Sequence, residues 1–212
     1  MWALLELAMQ FSIALIAAHA CVASRPVYNF LDRLARLPDS DRPVQAIVLI
    51  GAYSMITAYF NWALSVVASA LFVPFIARRN PKADIRVVIA AAYLGVGTIW
   101  HGGLSGSAPL ILATPGNPLL EPAGGEPIID RLIPVTESLF IPFNLIYIAI
   151  LFVVALSTVA MLHPRQNVQT LDDEAIDRML PTLPDEATAE TPAASMESFR
   201  GWILLAVVLV GY

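Results

Sequence analysis

Long apolar runs separated by short charged segments make up most of this chain. Residues 2–23 and 139–162 are apolar runs, and a membrane-spanning helix needs about 20 such residues to cross a hydrocarbon core about 30 Å thick. A third run, residues 44–77, is 34 residues long and contains no charged side chain. This pattern predicts an all-α membrane protein.

The flanks of residues 44–77 predict that both ends of this run lie on one side of the membrane. The run is too long for one straight helical span and, counted in residues, too short for two full spans and a turn. Four basic residues precede it and four follow it: Arg25, Arg33, Arg36, Arg42, and then Arg78, Arg79, Lys82, Arg86. Loops rich in Lys and Arg stay in the cytoplasm. We therefore predict a re-entrant helical hairpin over 44–77, with its tip near Asn61.

The remaining apolar runs complete one predicted transmembrane repeat over residues 1–162. Residues 85–118 run outward, and the loop 119–138 holds one basic residue, Arg131, against four carboxylates, as expected of an external loop. The span 139–162 then returns to the cytoplasm.

An acidic segment, 163–200, follows and is predicted to be a solvated cytoplasmic linker. It contains one short helix, 171–180, which Thr170 would cap. Residues 201–212 have the pattern of the start of a further transmembrane helix, so we interpret the chain as a fragment.

Composition agrees with a membrane protein and limits the partners. The chain is 58% hydrophobic and 14% charged, with a mean hydropathy of +0.70. Eight of its seventeen carboxylates lie between residues 163 and 200, so the net charge of −5 belongs to one segment. The basic residues are explained by topology, and no nucleic-acid partner is expected. The single cysteine, Cys21, excludes an internal disulfide framework and gives no metal-binding spacing.

The stretch HGGLSGSAPLILATPGNPL, residues 101–119, puts helix-breaking residues between apolar flanks. Unpaired backbone groups cost several kcal/mol each in lipid, so broken backbone at membrane depth persists where it is buried in protein or lines a cavity. In secondary transporters such breaks form the binding site for substrate and coupling ion. The predicted substrate and ion site comprises Ser105, Gly106, Ser107, Thr114, Gly116, Asn117 and, at the hairpin tip, Asn61.

The same stretch allows other interpretations. It could be a polar external loop or a structural kink. His101, beside the motif, is a candidate proton carrier, but an interfacial histidine next to Trp100 fits the sequence equally well. An intramembrane serine hydrolase would pair Ser105 or Ser107 with His101, although no strand precedes the serines. A channel through the broken helix is a further alternative.

The sequence resembles the short-chain fatty acid transporter family, the bacterial acetoacetate and butyrate type. The residues that carry this resemblance are WHGGLSGSAPLILATPGNP and the preceding NWALSVVASALFVPFIARR. The resemblance implies one repeat of an inverted-repeat, ion-coupled carrier, with a re-entrant hairpin and a discontinuous helix. It also implies a further helix before Met1 and a second repeat after Tyr212.

The function implied by the resemblance is uptake of short-chain monocarboxylates across the inner membrane by cation symport, in a multi-pass protein. A channel, or a carrier for another small organic anion such as a dicarboxylate, is the alternative. We expect no cofactor other than coupling Na⁺ or H⁺. The expected partners are the small carboxylate and the lipid bilayer. A homodimer is left open, although copies inserted in one orientation would not supply an inverted partner.

Overall fold

The computed structural model describes residues 25–120 and 125–180, and six helical residues before them: Leu5, Ala8, Met9, Ser12, Ile13 and Ile16. The predicted helix at 201–212, residues 181–200 and most of 2–23 lie outside the described residues. Within the described part every regular element is helical, and three helices are long and apolar enough to cross a membrane, or four if one bent pair is counted as a span. The prediction of an all-α membrane protein is confirmed at this level.

Seven α-helices are described, with a π-helix and short 3₁₀ turns between them. They are α1 (Arg25–Ala35), α2 (Pro43–Phe60), α3 (Trp62–Arg79), α4 (Ile85–Ala92), α5 (Ser107–Ala113), α6 (Pro142–Met161) and α7 (Asp173–Met179). The π-helix is Gly95–Ile99, and the 3₁₀ turns are Trp100–Gly102 and Val135–Glu137.

Helices α2 and α3 form a hairpin whose turn is the single residue Asn61. Pro43 occupies the first turn of α2, where its missing N–H costs nothing. Asn61 has an extended backbone, and its side-chain oxygen accepts a hydrogen bond from the Leu64 N–H at 2.9 Å, which caps α3. The rings of Tyr53 and Phe72 pack between the two helices, with centroids 5.0 Å apart.

The hairpin corrects our length argument for residues 44–77. Each helix has 18 residues, or about 27 Å at 1.5 Å per residue, and each is apolar enough to span a membrane. Two spans therefore fit, because the turn uses one residue and the helices extend to Pro43 and Arg79. At the open end, the Lys82 ammonium lies 2.6 Å from Asp41, so the two basic flanks lie side by side.

The main core lies at this open end of the hairpin. Helix α1 packs across it with Leu31 and Ala35 fully buried, and α4 contributes Val88 and Ala91. The side chains they cover from α2 and α3 are large and apolar: Ile47, Ile50, Phe72 and Ile76. The burial of these side chains holds α4 against the hairpin and so sets the direction in which the chain continues toward the glycine-rich stretch.

The chain after α4 is bent and irregular. Ile85–Ala92 and Gly95–Ala113 meet at an angle of 41°. At the bend the Gly95 N–H donates to the hydroxyl of Ser54 on α2 at 3.0 Å, and that hydroxyl donates to the Ala92 carbonyl at 2.6 Å. A Cβ on Gly95 would lie 2.2 Å from the Ser54 carbonyl oxygen. The π-helix therefore begins at a residue, Gly95, whose N–H is bonded to Ser54 of α2.

Residues 163–180, the start of the predicted solvated linker, are mostly exposed but also contact the helices. The Ile85 N–H donates to the Gln169 carbonyl at 2.8 Å, Ile176 is 4% exposed, and Arg78 pairs with Asp177. This segment packs against the ends of α3 and α4 because Ile176 and its apolar neighbours are covered there. The predicted cap, Thr170, is wrong: α7 begins at Asp173 and is capped by Asp172, whose carboxylate accepts from the Ala175 N–H.

Candidate functional site

The hairpin tip and the glycine-rich stretch are joined by two direct hydrogen bonds. The Leu104 N–H donates to the Tyr59 carbonyl, near the end of α2, at 2.7 Å. The Trp62 N–H, at the start of α3, donates to the Ser105 hydroxyl at 3.0 Å. Helix ends carry N–H and C=O groups that have no partner within the helix. The stretch 103–105 therefore supplies partners for both helix ends at the tip.

Gly103 permits this close approach to the hairpin tip, and Gly106 permits a tight turn within the stretch itself. A Cβ on Gly103 would lie 2.4 Å from the Tyr59 carbonyl oxygen and 2.8 Å from its Cα. A Cβ on Gly106 would lie 2.4 Å from the His101 carbonyl oxygen. Gly106 has φ −65° and ψ 124°, which any residue adopts. Glycine is needed at Gly106 because of crowding, since its backbone angles are ordinary.

The candidate polar side chains differ in exposure. Ser105 is half-buried, whereas Ser107 and His101 are exposed. The His101 ring lies against the Trp100 ring, with centroids 3.9 Å apart. The ring centroids of Trp100 and Trp62 are 6.2 Å apart. Within the described residues, no hydrogen bond links His101 to either serine. The structure thus brings Asn61 and Ser105 to one place and puts His101 beside them.

Thr114, Gly116 and Asn117 belong to a separate turn after α5. The Asn117 amide donates to the Thr114 carbonyl at 2.8 Å, and its oxygen accepts from the N–H groups of Leu119 and Leu120. Gly116 has φ +68°, the left-handed region that favours glycine. In the part of the chain that the structure describes, no hydrogen bond connects this turn to the hairpin tip. The seven predicted residues therefore fall into two groups.

Asn144 on α6 contacts the candidate site and was not predicted from the sequence. Its side-chain amide donates to the Gly102 carbonyl at 3.1 Å and to the Leu139 carbonyl at 2.8 Å. The signal was present, because an amide in the first turn of an otherwise apolar membrane helix needs a polar partner. Ser54 was also not predicted, because a serine inside an apolar run does not indicate which helix it contacts.

A buried carboxylate lies at the other end of α4. Asp84 is fully buried and accepts from the Arg86 guanidinium at 2.7 Å and from the Gln169 N–H at 2.9 Å. The Arg86 hydrogen bond is the largest cause that lowers the pKa of Asp84; burial opposes it, and the backbone N–H groups of Gln169 and Arg86 add to the lowering. The His163 ring accepts from the Asp84 N–H at 3.3 Å. These contacts attach residues 163–169 to α4.

No group of three or more His, Cys, Asp or Glu that could hold a metal ion occurs within residues 25–120 and 125–180. The oxygens at the candidate site come instead from hydroxyls, amides and backbone carbonyls. In secondary transporters, alkali cations are bound by unwound backbone carbonyls and helix ends of this kind.

Comparison with known proteins identifies the family. A profile described as "Short chain fatty acid transporter" matches residues 1–212. Two relatives are each named "Putative short-chain fatty acid transporter". The one from Escherichia coli strain K12 is 36% identical over 176 residues, 82% of this chain and 38% of the relative. The one from Haemophilus influenzae is 32% identical over 169 residues, 80% of this chain and 37% of the relative.

No solved structure matches this chain. The chain spans less than two-fifths of the length of these two relatives. The matched family is one of transport proteins, so the comparison favours transport over the hydrolase alternative. Because the profile covers every residue from 1 to 212, the chain belongs to the short-chain fatty acid transporter family.

Proposed function

We propose that the full-length protein carries short-chain monocarboxylates, such as butyrate and acetoacetate, across the inner membrane by cation symport. The observation that carries this proposal is the direct bonding of the hairpin tip to the broken stretch, through Leu104 to Tyr59 and Trp62 to Ser105. A half-buried hydroxyl at such a junction suits a small anion. The Ser105 oxygen accepts from Trp62, so its own O–H is available to donate to a carboxylate.

The proposed architecture is one repeat of an inverted-repeat carrier. The α2–α3 hairpin would be re-entrant, and residues 85–113 would be the discontinuous helix that faces its tip. The adjacent basic flanks, joined by Lys82 and Asp41, support a common cytoplasmic side for both ends of the hairpin. A second repeat, outside residues 1–212, would complete the site at the membrane midplane, and rocking between the repeats would give alternating access.

The two groups of candidate residues suggest a division of roles. Ser105 and Ser107 would donate hydrogen bonds to the substrate carboxylate. Carbonyl and amide oxygens around Asn61, and in the turn Thr114–Asn117, would contact the coupling cation. If the cation is H⁺, His101 is the candidate proton carrier.

Uptake into cells that produce the full-length protein tests the proposal. We expect saturable accumulation of labelled butyrate that collapses when the coupling gradient is removed. Uptake is measured once with a Na⁺ gradient and no pH gradient, and once with a pH gradient and no Na⁺ gradient. The gradient that drives accumulation identifies the coupling ion. His101→Gln should abolish H⁺-coupled accumulation and leave Na⁺-coupled accumulation intact.

Counterflow of labelled against unlabelled butyrate is expected of a carrier; its absence would point to a channel. Preferential uptake of a dicarboxylate would overturn the monocarboxylate assignment.

A further inference from the structure

An apolar pocket adjoins the broken stretch. It lies between α2, the π-helix and α6, has a volume of about 190 Å³, and its lining includes Met55, Tyr59, Ile99, Ile148 and Phe152. Met55 and Ile99 are buried and form its inner wall, whereas Ile56 and Phe60, which also line it, are exposed, so the pocket opens at the surface of α2.

Two contacts connect this pocket to the polar residues of the candidate site. Tyr59, which lines it, accepts the hydrogen bond from the Leu104 N–H at 2.7 Å. The Ile148 side chain lies against Gly102, because a Cβ on Gly102 would be 2.9 Å from the Ile148 Cδ1. Gly102 is also bonded to Asn144, one helical turn before Ile148. An apolar pocket and a hydrogen-bonding stretch thus lie side by side, which is the arrangement that an amphipathic ligand requires.

We propose that this pocket holds the acyl chain of the transported monocarboxylate and sets the preferred chain length. The inference rests on the proposed function, and names the part of the protein that selects among its substrates. The carboxylate would lie toward Ser105 and the chain would extend between Tyr59 and Ile148.

The volume of the pocket matches a short chain. A dry cavity of about 150 Å³ lined by aliphatic and aromatic side chains holds a molecule of benzene's size. A pocket of about 190 Å³ therefore accommodates a chain of a few carbon atoms. Each methylene that it buries should strengthen binding about fourfold, so KM should fall from acetate to butyrate and stop falling once the pocket is full.

Substitutions in the pocket test the inference through the ratio of KM values, which does not depend on the amount of protein in the membrane. In the full-length protein, Ile148→Phe should fill the pocket and raise the ratio of KM for hexanoate to KM for acetate about tenfold. Phe152→Ala should enlarge it and lower the same ratio. The control is Val153→Phe, because Val153 lies next to Phe152 on α6 but is 63% exposed and does not line this pocket.

The outcomes separate the two proposals. If the unmodified protein accumulates no monocarboxylate, the proposed function fails and the pocket assignment fails with it. If monocarboxylates are carried but both pocket variants keep the original KM ratio, only the pocket assignment is overturned, and the pocket is a contact for a lipid chain or another part of the protein. The acyl-chain pocket is supported if Ile148→Phe raises the KM ratio, Phe152→Ala lowers it, and Val153→Phe leaves it unchanged.

Discussion

At the scale of single residues, Gly103 makes the closest approach between the hairpin tip and the broken stretch. The atoms that its Cβ would meet, at 2.4 and 2.8 Å, belong to the Tyr59 backbone and cannot rotate away. We expect Gly103→Ala to cost about 1–3 kcal/mol of stability through overpacking and to reduce uptake at least tenfold. Gly97→Ala is the matched control, because a Cβ on Gly97 would meet nothing within 4 Å. Equal uptake by the two variants would contradict the close contact.

The two serines of the stretch should respond differently to removal of the hydroxyl. Ser105→Ala removes the hydrogen bond that the Trp62 N–H donates to the hydroxyl, which costs about 0.5–1.5 kcal/mol, and should also raise KM. Ser107 is exposed, so Ser107→Ala should leave the melting temperature unchanged but still raise KM, because Ser107 is proposed to donate a hydrogen bond to the carboxylate. Thermal unfolding in detergent measures the first effect and initial uptake rates the second. A destabilised Ser107→Ala variant with a normal Ser105→Ala variant would reverse the assignment.

At the scale of elements, the re-entrant proposal predicts how deep the α2–α3 hairpin enters the membrane. A cysteine at Phe60, which is 58% exposed at the tip, should resist an impermeant maleimide added from outside if the hairpin is re-entrant. Cysteines at Ile128 and Asp39 are the controls for outside and inside labelling. All variants need the background Cys21→Ala, since Cys21 is the single native cysteine. Labelling of position 60 as fast as that of position 128 would indicate two full spans.

The attachment of residues 163–180 to α4 should depend on the charge of Asp84. The pKa of Asp84 is lowered in the folded protein, so its contribution to stability is fully present above the ordinary carboxyl pKa of about 4 and is lost as the pH falls through the lowered value. Asp84→Asn imitates the protonated acid at neutral pH. We expect tryptic cleavage after the exposed Arg165 to accelerate about tenfold or more in this variant.

Asp41→Asn is the control for that experiment. It removes only the solvent-exposed pair with Lys82, and such pairs contribute little. If Asp84→Asn and Asp41→Asn are cleaved at the same rate, the buried carboxylate does not hold the segment.

At the scale of the whole molecule, residues 1–212 should insert into a membrane but should not transport by themselves. They span less than two-fifths of the two similar proteins, and their described part contains one hairpin and one broken stretch. In inverted-repeat carriers the site lies between two repeats, and one must move against the other. Liposomes that contain residues 1–212 and carry an imposed Na⁺ or H⁺ gradient should accumulate no labelled butyrate, whereas the full-length protein should. Saturable, gradient-driven uptake by residues 1–212 alone would contradict the two-repeat proposal.

Much of this organisation could be predicted from the sequence, because membrane insertion depends on local run length and loop charge. The apolar runs predicted an all-helical membrane protein, and the cluster of glycines and serines identified residues 101–119 as the unusual stretch. The length estimate failed at residues 44–77 because it assumed a turn of several residues. In the structure the turn is a single residue, because Asn61 both ends α2 and caps α3.

Contacts between distant residues were decided only by the tertiary structure. The sequence does not indicate that Tyr59 would accept from Leu104, that Asn144 would hold Gly102, or that an apolar pocket would lie beside them. Nor did the acidic composition of residues 163–200 predict that Gln169 would bond to Ile85. Hydrophobic and charge patterns record which surroundings each segment tolerates. The partner of each polar group depends on how the helices pack, because a helix end or a buried hydroxyl is satisfied by whichever segment the core brings next to it.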